Sequence, residues 1–452
     1  MVYNCLKMKS NWQIFKYVLL LFLGWRLALL FIAFFGLSTL PSRNGITDEL
    51  FLPSPEISYW FRWSNWDGGH FRGIVENGYL PQQTVFFPLY PLLMKILNIV
   101  GLDITFAGLL ISHLSLIASL FFLYKLTILD FPEKVAKRAI FALLIFPTSF
   151  YLGTVYSESL FLAVTLACFY FARTQKTVLS SFFAAASVAT RLAGLATFAA
   201  ILGDHLLKEL KNFKIPLLWQ TKLRRLLIYF ITCSIVIKII LELILPLKLF
   251  LLLGSLDSIL QIIFFAIIFT FTLVFAEFLF KNINFRKILT LKTFLPCLSL
   301  LPVPLYMLFQ QALFQNPLGF LINETNWNRH FSLPWEPILG YLNHLKSVGI
   351  FQIGNPARVF TELAFFIGGV FGFIFSLYKL KPAYSIFYGL SLILPTFSNT
   401  LIAMPRYMLT IFPIFILLGL IENEFLQKIG IIFSVLLLSA YTMLFMGWYW
   451  VT

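Results

Sequence analysis

The chain has 452 residues, of which 60% are hydrophobic and 12% charged, with 53 phenylalanines and a formal net charge of +15. A soluble domain carries roughly 25% charged residues, so an ordinary soluble globular protein is excluded and a bundle of membrane-crossing helices is expected. The excess of Lys and Arg falls in short loops between apolar runs, the pattern of cytoplasmic loops in membrane proteins, which argues against a nucleic-acid partner.

The first apolar run, about 12–36, has Lys7, Lys9 and Lys16 at its N-terminal side. It is too long for a signal-peptide core and no small-residue cleavage site follows it, so it is predicted to remain as a first span with a cytoplasmic N-terminus. A loop over about 37–100 comes next, holding Asp48, Glu49, Glu56, Asp67 and Glu76. It is placed outside, where a loop of this length usually has a function. A second span covers about 105–124 and returns to a basic loop with Lys125, Lys134, Lys137 and Arg138. A third ends near Tyr151, and a fourth runs from near Ser157 to Arg173 and Lys176. The run 178–206 has a basic loop on each side, which a single crossing cannot satisfy. It therefore reads as two short helices, about 178–190 and 194–206, reversing at Arg191 and Gly194 toward the outer side. Each would be about 20 Å long, so the reversal belongs inside protein or beneath a water-filled cavity.

Further spans are expected at about 223–245, 256–280, 293–313, 357–379, 383–401, 405–421 and 429–448, with a second large outer loop at about 314–352. That makes about 13 transmembrane segments in a single integral-membrane domain, 1–452, with no internal repeat. Cys5, Cys168, Cys233 and Cys297 lie far apart and without metal-ligand spacing; they read as small apolar fillers.

Chemistry concentrates in the first outer loop, in Trp66-Asp67-Gly68-Gly69-His70-Phe71. Asp67 opens a short amphipathic helix, about 67–76, among Trp60, Trp63 and Trp66, side chains suited to a membrane–water interface. A carboxylate and an imidazole then lie one turn apart, with glycines that would admit a bulky ligand. Two readings stand for Asp67: an N-cap of that helix, or a reacting group. His70 is either a packed interfacial ring or part of a site. No Gly-rich nucleotide loop follows a strand and no carboxylate cage is present, so neither a nucleotide cofactor nor a metal is expected.

WDGGHFRGIVENGY at 66–79 with FFPLYP at 86–91 resembles the first-loop signature of the PIG-V-like mannosyltransferases, members of the GT-C glycosyltransferase superfamily. TVYSESLF at 154–161, NPLGFLINETNWNRHFSLPW at 316–335 and MPRYMLTIFPIF at 404–415 resemble further segments of that family in the same order. The resemblance implies an all-α GT-C bundle whose long first outer loop carries short interfacial helices. It implies transfer of a hexose, mannose by analogy, from a polyprenyl-phosphate donor such as dolichyl- or undecaprenyl-phosphate mannose. Transfer would occur with inversion on the lumenal or periplasmic face of a multi-pass protein, in the plasma membrane of a prokaryote or the ER membrane of a eukaryote. The hydrophobic block around 226–280 departs from shorter family members.

In such a reaction the acceptor hydroxyl loses a proton, which a placed carboxylate can take; Asp67 is the candidate, with Asp48 and Glu49 as rivals. The leaving phosphate needs cations: Arg191, Arg329 and Arg406 lie at outer ends of predicted spans, where an arginine can also simply snorkel, and His70 and Arg72 are further donor-binding candidates. Glu158, Trp66 and Tyr90 are assigned to the acceptor, Glu158 with the alternative of capping the fourth span. Whether the acceptor is a lipid, a glycan or a protein stays open, as does the sugar. Asn323-Glu324-Thr325 forms a glycosylation sequon. Rival functions are transfer of another lipid-phosphate sugar, a non-catalytic subunit, or a lipid-linked glycan flippase. A flippase would carry ionisable residues at membrane depth, and the only close pair of that kind, Lys238 and Glu242, is four residues apart and reads as mutual pairing.

Overall fold

The structure is a computed structural model that describes residues 10–41, 58–212, 291–348 and 355–451. The expected spans at 223–245 and 256–280, the Lys238–Glu242 pair, Asp48 and Glu49 lie outside these residues. The chain divides into two compact units, residues 1–201 with 295–452, and residues 202–294. Of the second unit the described parts, 202–212 and 291–294, are helical.

Unit one opens with α1 (Asn11–Thr39). Ser10 starts it with a reciprocal cap: its hydroxyl accepts from the Gln13 amide at 3.2 Å, and the Gln13 side chain accepts from the Ser10 amide at 3.0 Å, satisfying two donors that a helix start leaves free. The first loop supplies α2 (Asp67–Asn77) and α3 (Leu89–Ile99). After it come α4 (Ile104–Thr127), α5 (Glu133–Ile145), α6 (Glu158–Arg173), α7 (Thr177–Thr190) and the start of α8 (Gly194–Asn212). The remainder contains α9 (Leu291–Leu298), α10 (Pro302–Phe314), α11 (Glu336–Val348), α12 (Asn355–Lys379), α13 (Pro382–Ile393), α14 (Met404–Leu409), α15 (Pro413–Gly419) and α16 (Glu424–Met446). Among the described residues the one β-type pairing is an isolated bridge, Phe331 to Ser398.

Five stretches are long and apolar enough to cross a membrane: Asn11–Thr39, Ile104–Thr127, Phe294–Phe314, Arg358–Lys379 and Glu424–Met446. Each falls on a span expected from the sequence. Among the described residues the other expected spans are shorter helices, and proline accounts for several breaks. The third ends at Phe146, before Pro147, because the residue before a proline is pushed out of helical geometry. The run 405–421 splits into α14 and α15, the second piece starting with Pro413; the missing N–H costs least at a first position. The run 383–401 continues past α13 only as a 3-10 turn, Leu394–Phe397.

The two-helix reading of 178–206 holds in the structure as α7 and α8, with Arg191 in extended backbone between them. Gly194 permits the close turn there, since a Cβ would collide with the backbone of Ser187 and Val188. Around this, α4 packs against α1, α3, α5 and α6; α6 packs on α7, α5 on α15, and α1 on α16. Leu20, Leu27 and Phe31 of α1, Phe371 and Phe375 of α12, and Phe433 and Leu436 of α16 remain exposed. Exposed apolar side chains in this number, on helices long enough to cross a membrane, suit a membrane-facing exterior.

Candidate active site

The site forms where the first loop meets the starts of α6 and α14. Trp66 precedes α2 in a left-handed conformation (φ 57°) and no side chain caps the helix. Asp67 therefore does not act as the N-cap; it is the first helical residue, and its Oδ2 accepts from Arg406 Nη1 at 2.6 Å. The Asp67 amide donates to the Tyr156 hydroxyl at 3.2 Å, which donates to the Asn65 carbonyl at 3.1 Å. Gly68 lets the loop close on the segment before α6: a Cβ there would stand 3.2 Å from the Val155 carbonyl oxygen and from Ser64 Cβ. That is close packing against protein rather than an opening for a ligand.

Glu158 begins α6 and is likewise not its cap, since Ser157 holds that position. Its carboxylate is 2% exposed; it accepts from Arg191 Nη1 at 2.5 Å and lies 3.5 Å from Arg406 Nε. Both acids occupy first turns of helices, where the helix dipole favours negative charge. Arg406 is held from below by the rings of Tyr151 and Tyr156, with its guanidinium carbon 5.6 and 5.5 Å from their centroids. The Thr148 hydroxyl donates to the Pro405 carbonyl at 2.9 Å.

Three of the four arginines singled out from sequence converge on one ring. The guanidinium carbons of Arg191, Arg329 and Arg406 lie 5.9, 6.0 and 5.8 Å from the Tyr407 centroid. Arg329 also donates to the Tyr407 hydroxyl at 2.8 Å and stands 4.0 Å from Glu324. These cations come from the turn between α7 and α8, the loop between α10 and α11, and α14. Burial alone would lift the Asp67 carboxyl, but Arg406, aided by His70 and Arg191, holds it below the usual carboxylate range. Glu324 moves the other way: burial raises it more than Arg329 lowers it.

His70, 4% exposed, stacks on Phe86 at 5.2 Å and meets the edge of Trp327 at 4.9 Å. It lies near enough to Asp67 to favour the carboxylate's charge. The Trp66 ring faces Trp448 and Trp450. Two candidates stand apart from the cluster. Arg72 pairs with Glu76 at 3.4 Å and lies over the Phe61 ring at 4.0 Å. Tyr90 is fully buried, its hydroxyl at 3.0 Å from the Gly108 carbonyl and 2.9 Å from Ser112 Oγ. The sequon asparagine is also engaged: Asn323 Nδ2 donates to the Pro81 carbonyl at 2.6 Å and to Thr84 Oγ1 at 2.9 Å, bonds that a glycan on that nitrogen would break.

Several contributors carry no signal of their own in the sequence. Tyr156 and Tyr407 sit inside two of the quoted motifs, but tyrosines are common in this chain. The turn before α14 depends on Tyr341, whose hydroxyl donates to Glu362 at 2.7 Å, lies 3.0 Å from Thr400 Oγ1 and accepts from the Leu401 amide at 3.2 Å. That network supports Ala403 at φ 70°, the residue from which Met404-Pro405-Arg406 starts.

A comparison with curated proteins finds no match. Residues 53–252 match the model of the family Mannosyltransferase (PIG-V). This stretch carries Asp67, His70, Glu158 and Arg191, while Arg329 and Arg406 lie beyond it. The matched stretch is similar to the PIG-V mannosyltransferases, as the loop motifs implied, and supports a glycosyltransferase.

Proposed function

We propose that the protein transfers a mannosyl group, with inversion, from a polyprenyl-phosphate donor to an acceptor hydroxyl on the lumenal or periplasmic face of a bundle of about 13 segments. The observation that carries this reading is the convergence of Arg191, Arg329 and Arg406 on Tyr407, beside the Asp67 carboxylate. A lipid phosphodiester needs no Rossmann fold and no nucleotide-binding loop. It needs cations whose N–H groups face the oxygen that gains charge as the sugar leaves.

Asp67 is the general base. As the acceptor oxygen attacks the anomeric carbon, its proton passes to Asp67, and the C–O bond to phosphate breaks with both electrons leaving on the phosphate. In the resting site Arg406 is already bound to Asp67. Guanidinium presents five N–H donors, so an arriving phosphate can take a share of Arg406 and weaken its hold on Asp67. The carboxylate then binds a proton more readily, as a base must. Glu158 holds Arg191 and Arg406 in place from the buried side. The site's acceptor is a lipid, a glycan or a protein bearing a free hydroxyl.

The test is incubation of purified protein with a panel of polyprenyl-phosphate sugars. Release or transfer of mannose, faster than of the other sugars, is expected. A site that binds none of these donors and turns over none of them would end this reading.

A further inference from the structure

The segment that follows α16 meets the reacting end of the first loop, and nothing in the function above uses it. Arg62 Nη1 donates to the Met446 carbonyl and Asn65 Nδ2 to the Phe445 carbonyl, both at 2.9 Å. The Phe445 ring packs 5.6 Å from Tyr151 and 6.2 Å from Tyr156, the two rings beneath Arg406. The end of α16 is thereby fixed against the Asp67 site from two directions. Beyond it, Trp448 and Trp450 close on Trp66, the residue before Asp67. Trp66 and Trp448 centroids are 5.9 Å apart; Trp66 and Trp450 are 5.0 Å apart at an interplanar angle of 89°, forming a right-angled corner.

Three features separate this corner from an ordinary interfacial belt. First, belt tryptophans keep the indole N–H wet, whereas the Nε1 atoms of Trp66 and Trp448 are buried with no hydrogen-bond partner. Second, Trp66 and Trp448 both have positive φ, 57° and 63°. Bulky residues are rarely found there, and such strain gathers at ligand clamps and active sites. Third, Trp450 keeps 37% of its surface open, while Trp448 keeps 7%. One wall of the corner is therefore accessible and its partner is anchored.

Resting on the transferase reading, we propose that Trp66, Trp448 and Trp450 form a hexopyranose subsite next to Asp67. One face of a hexopyranose is a patch of C–H groups with slight positive charge, which suits the electron-rich face of an indole. The ring held there belongs either to the donor's mannosyl group or to a sugar of the acceptor.

A glycoside probe tests the subsite without turnover. Methyl α-D-mannopyranoside is titrated into purified full-length protein and followed by saturation-transfer NMR, for wild type, Trp450→Ala and Trp450→Phe. Wild type should bind the glycoside, Trp450→Ala should weaken it about tenfold, and Trp450→Phe should recover part of the loss. Polyprenyl-phosphate mannose is then added. If it displaces the glycoside, the corner holds the donor's sugar; if both bind together, it holds the acceptor's. No glycoside binding by wild type, or undiminished binding by Trp450→Ala, overturns the subsite. Donor hydrolysis measured on the same samples reports on the transferase reading separately, so either idea can fail alone.

Discussion

Asp67→Asn separates the roles of Asp67 more cleanly than any other substitution. The change keeps side-chain size and removes the proton-accepting charge. If Asp67 is the base, turnover should fall roughly 10²–10⁴-fold. Donor binding should move the other way. Two unit charges about 5 Å apart interact by roughly 3 kcal/mol at an effective dielectric of about 20, and Asp67 is 17% exposed, so solvent reduces this further. Loss of the carboxylate beside Arg406 should therefore tighten donor phosphate binding by up to about tenfold. The fold should survive. Arg406 keeps Glu158 at 3.5 Å and the rings of Tyr151 and Tyr156, so the cost should stay well below the roughly 3–5 kcal/mol of an abandoned buried charge. Radiolabelled donor turnover, donor affinity and thermal stability, measured on the same preparations, decide the matter. Transfer by Asp67→Asn within a few-fold of wild type would refute the general-base role.

Three other outcomes follow from the same geometry. Arg406→Ala should weaken donor binding and Arg406→Lys should restore only part of it, because lysine keeps the charge but loses the planar fork that grips two oxygens; unchanged donor affinity in folded Arg406→Ala would transfer the phosphate to Arg191 and Arg329. Ala193→Cys, in a background lacking the native cysteines, should react with a membrane-impermeant thiol reagent added from the outer side, since Ala193 lies in the partly exposed reversal between α7 and α8; labelling only from the cytoplasmic side would invert the assigned topology. The pH profile should split. Asp67 has a lowered pKa in the resting protein, so its basic form is present above that value and lost as pH falls through it. A bound donor shares Arg406 and raises the pKa, so the acid limb of kcat should lie at higher pH than that of kcat/KM, which reports the free enzyme; coincident limbs would mean that the donor does not loosen the pair.

Much of this was legible in the chain itself, where the signal was long or repeated. The helices Asn11–Thr39 and Ile104–Thr127 are continuous apolar runs, and hydropathy alone marks them. The break between α7 and α8 was legible for a different reason: charge on both flanks argued against a single crossing, whatever the local propensity. Helices such as α14 and α15 were harder. Each is too short for a periodicity argument, and their separation depends on Pro413 and on the turn built around Tyr341 and Glu362. In the site, the acid and the three arginines could be named because charged residues are scarce in this composition. Their pairing could not: Asp67 and Arg406 are 339 positions apart, and no local pattern encodes that contact. Tyr90 and Arg72 show the converse. Both sit within the motifs, yet one is buried against α4 and the other is engaged with Glu76, because a loop motif also contains the residues that fold the loop.

The arrangement of charges indicates which carboxylate can serve as the base. Three acids, Asp67, Glu158 and Glu324, face the three arginines around Tyr407. An arriving phosphate adds negative charge, and one acid must give up part of its cation. Glu158 is poorly placed to do so, being 2% exposed and the bridge between Arg191 and Arg406; releasing it would leave a charge stranded in the protein interior. Glu324 is 39% exposed and 4.0 Å from Arg329, so water already competes for it and its loosening gains little. Asp67 lies between these cases. It is partly open at 17% exposure, and its ion pair is with Arg406, a cation already held by Glu158 and by two tyrosine rings. Arg406 can therefore turn part of its donor set to a phosphate without being left unsupported. On the proposed mechanism Asp67 is therefore the acid that donor binding would free, and it stands at the start of α2 beside Trp66.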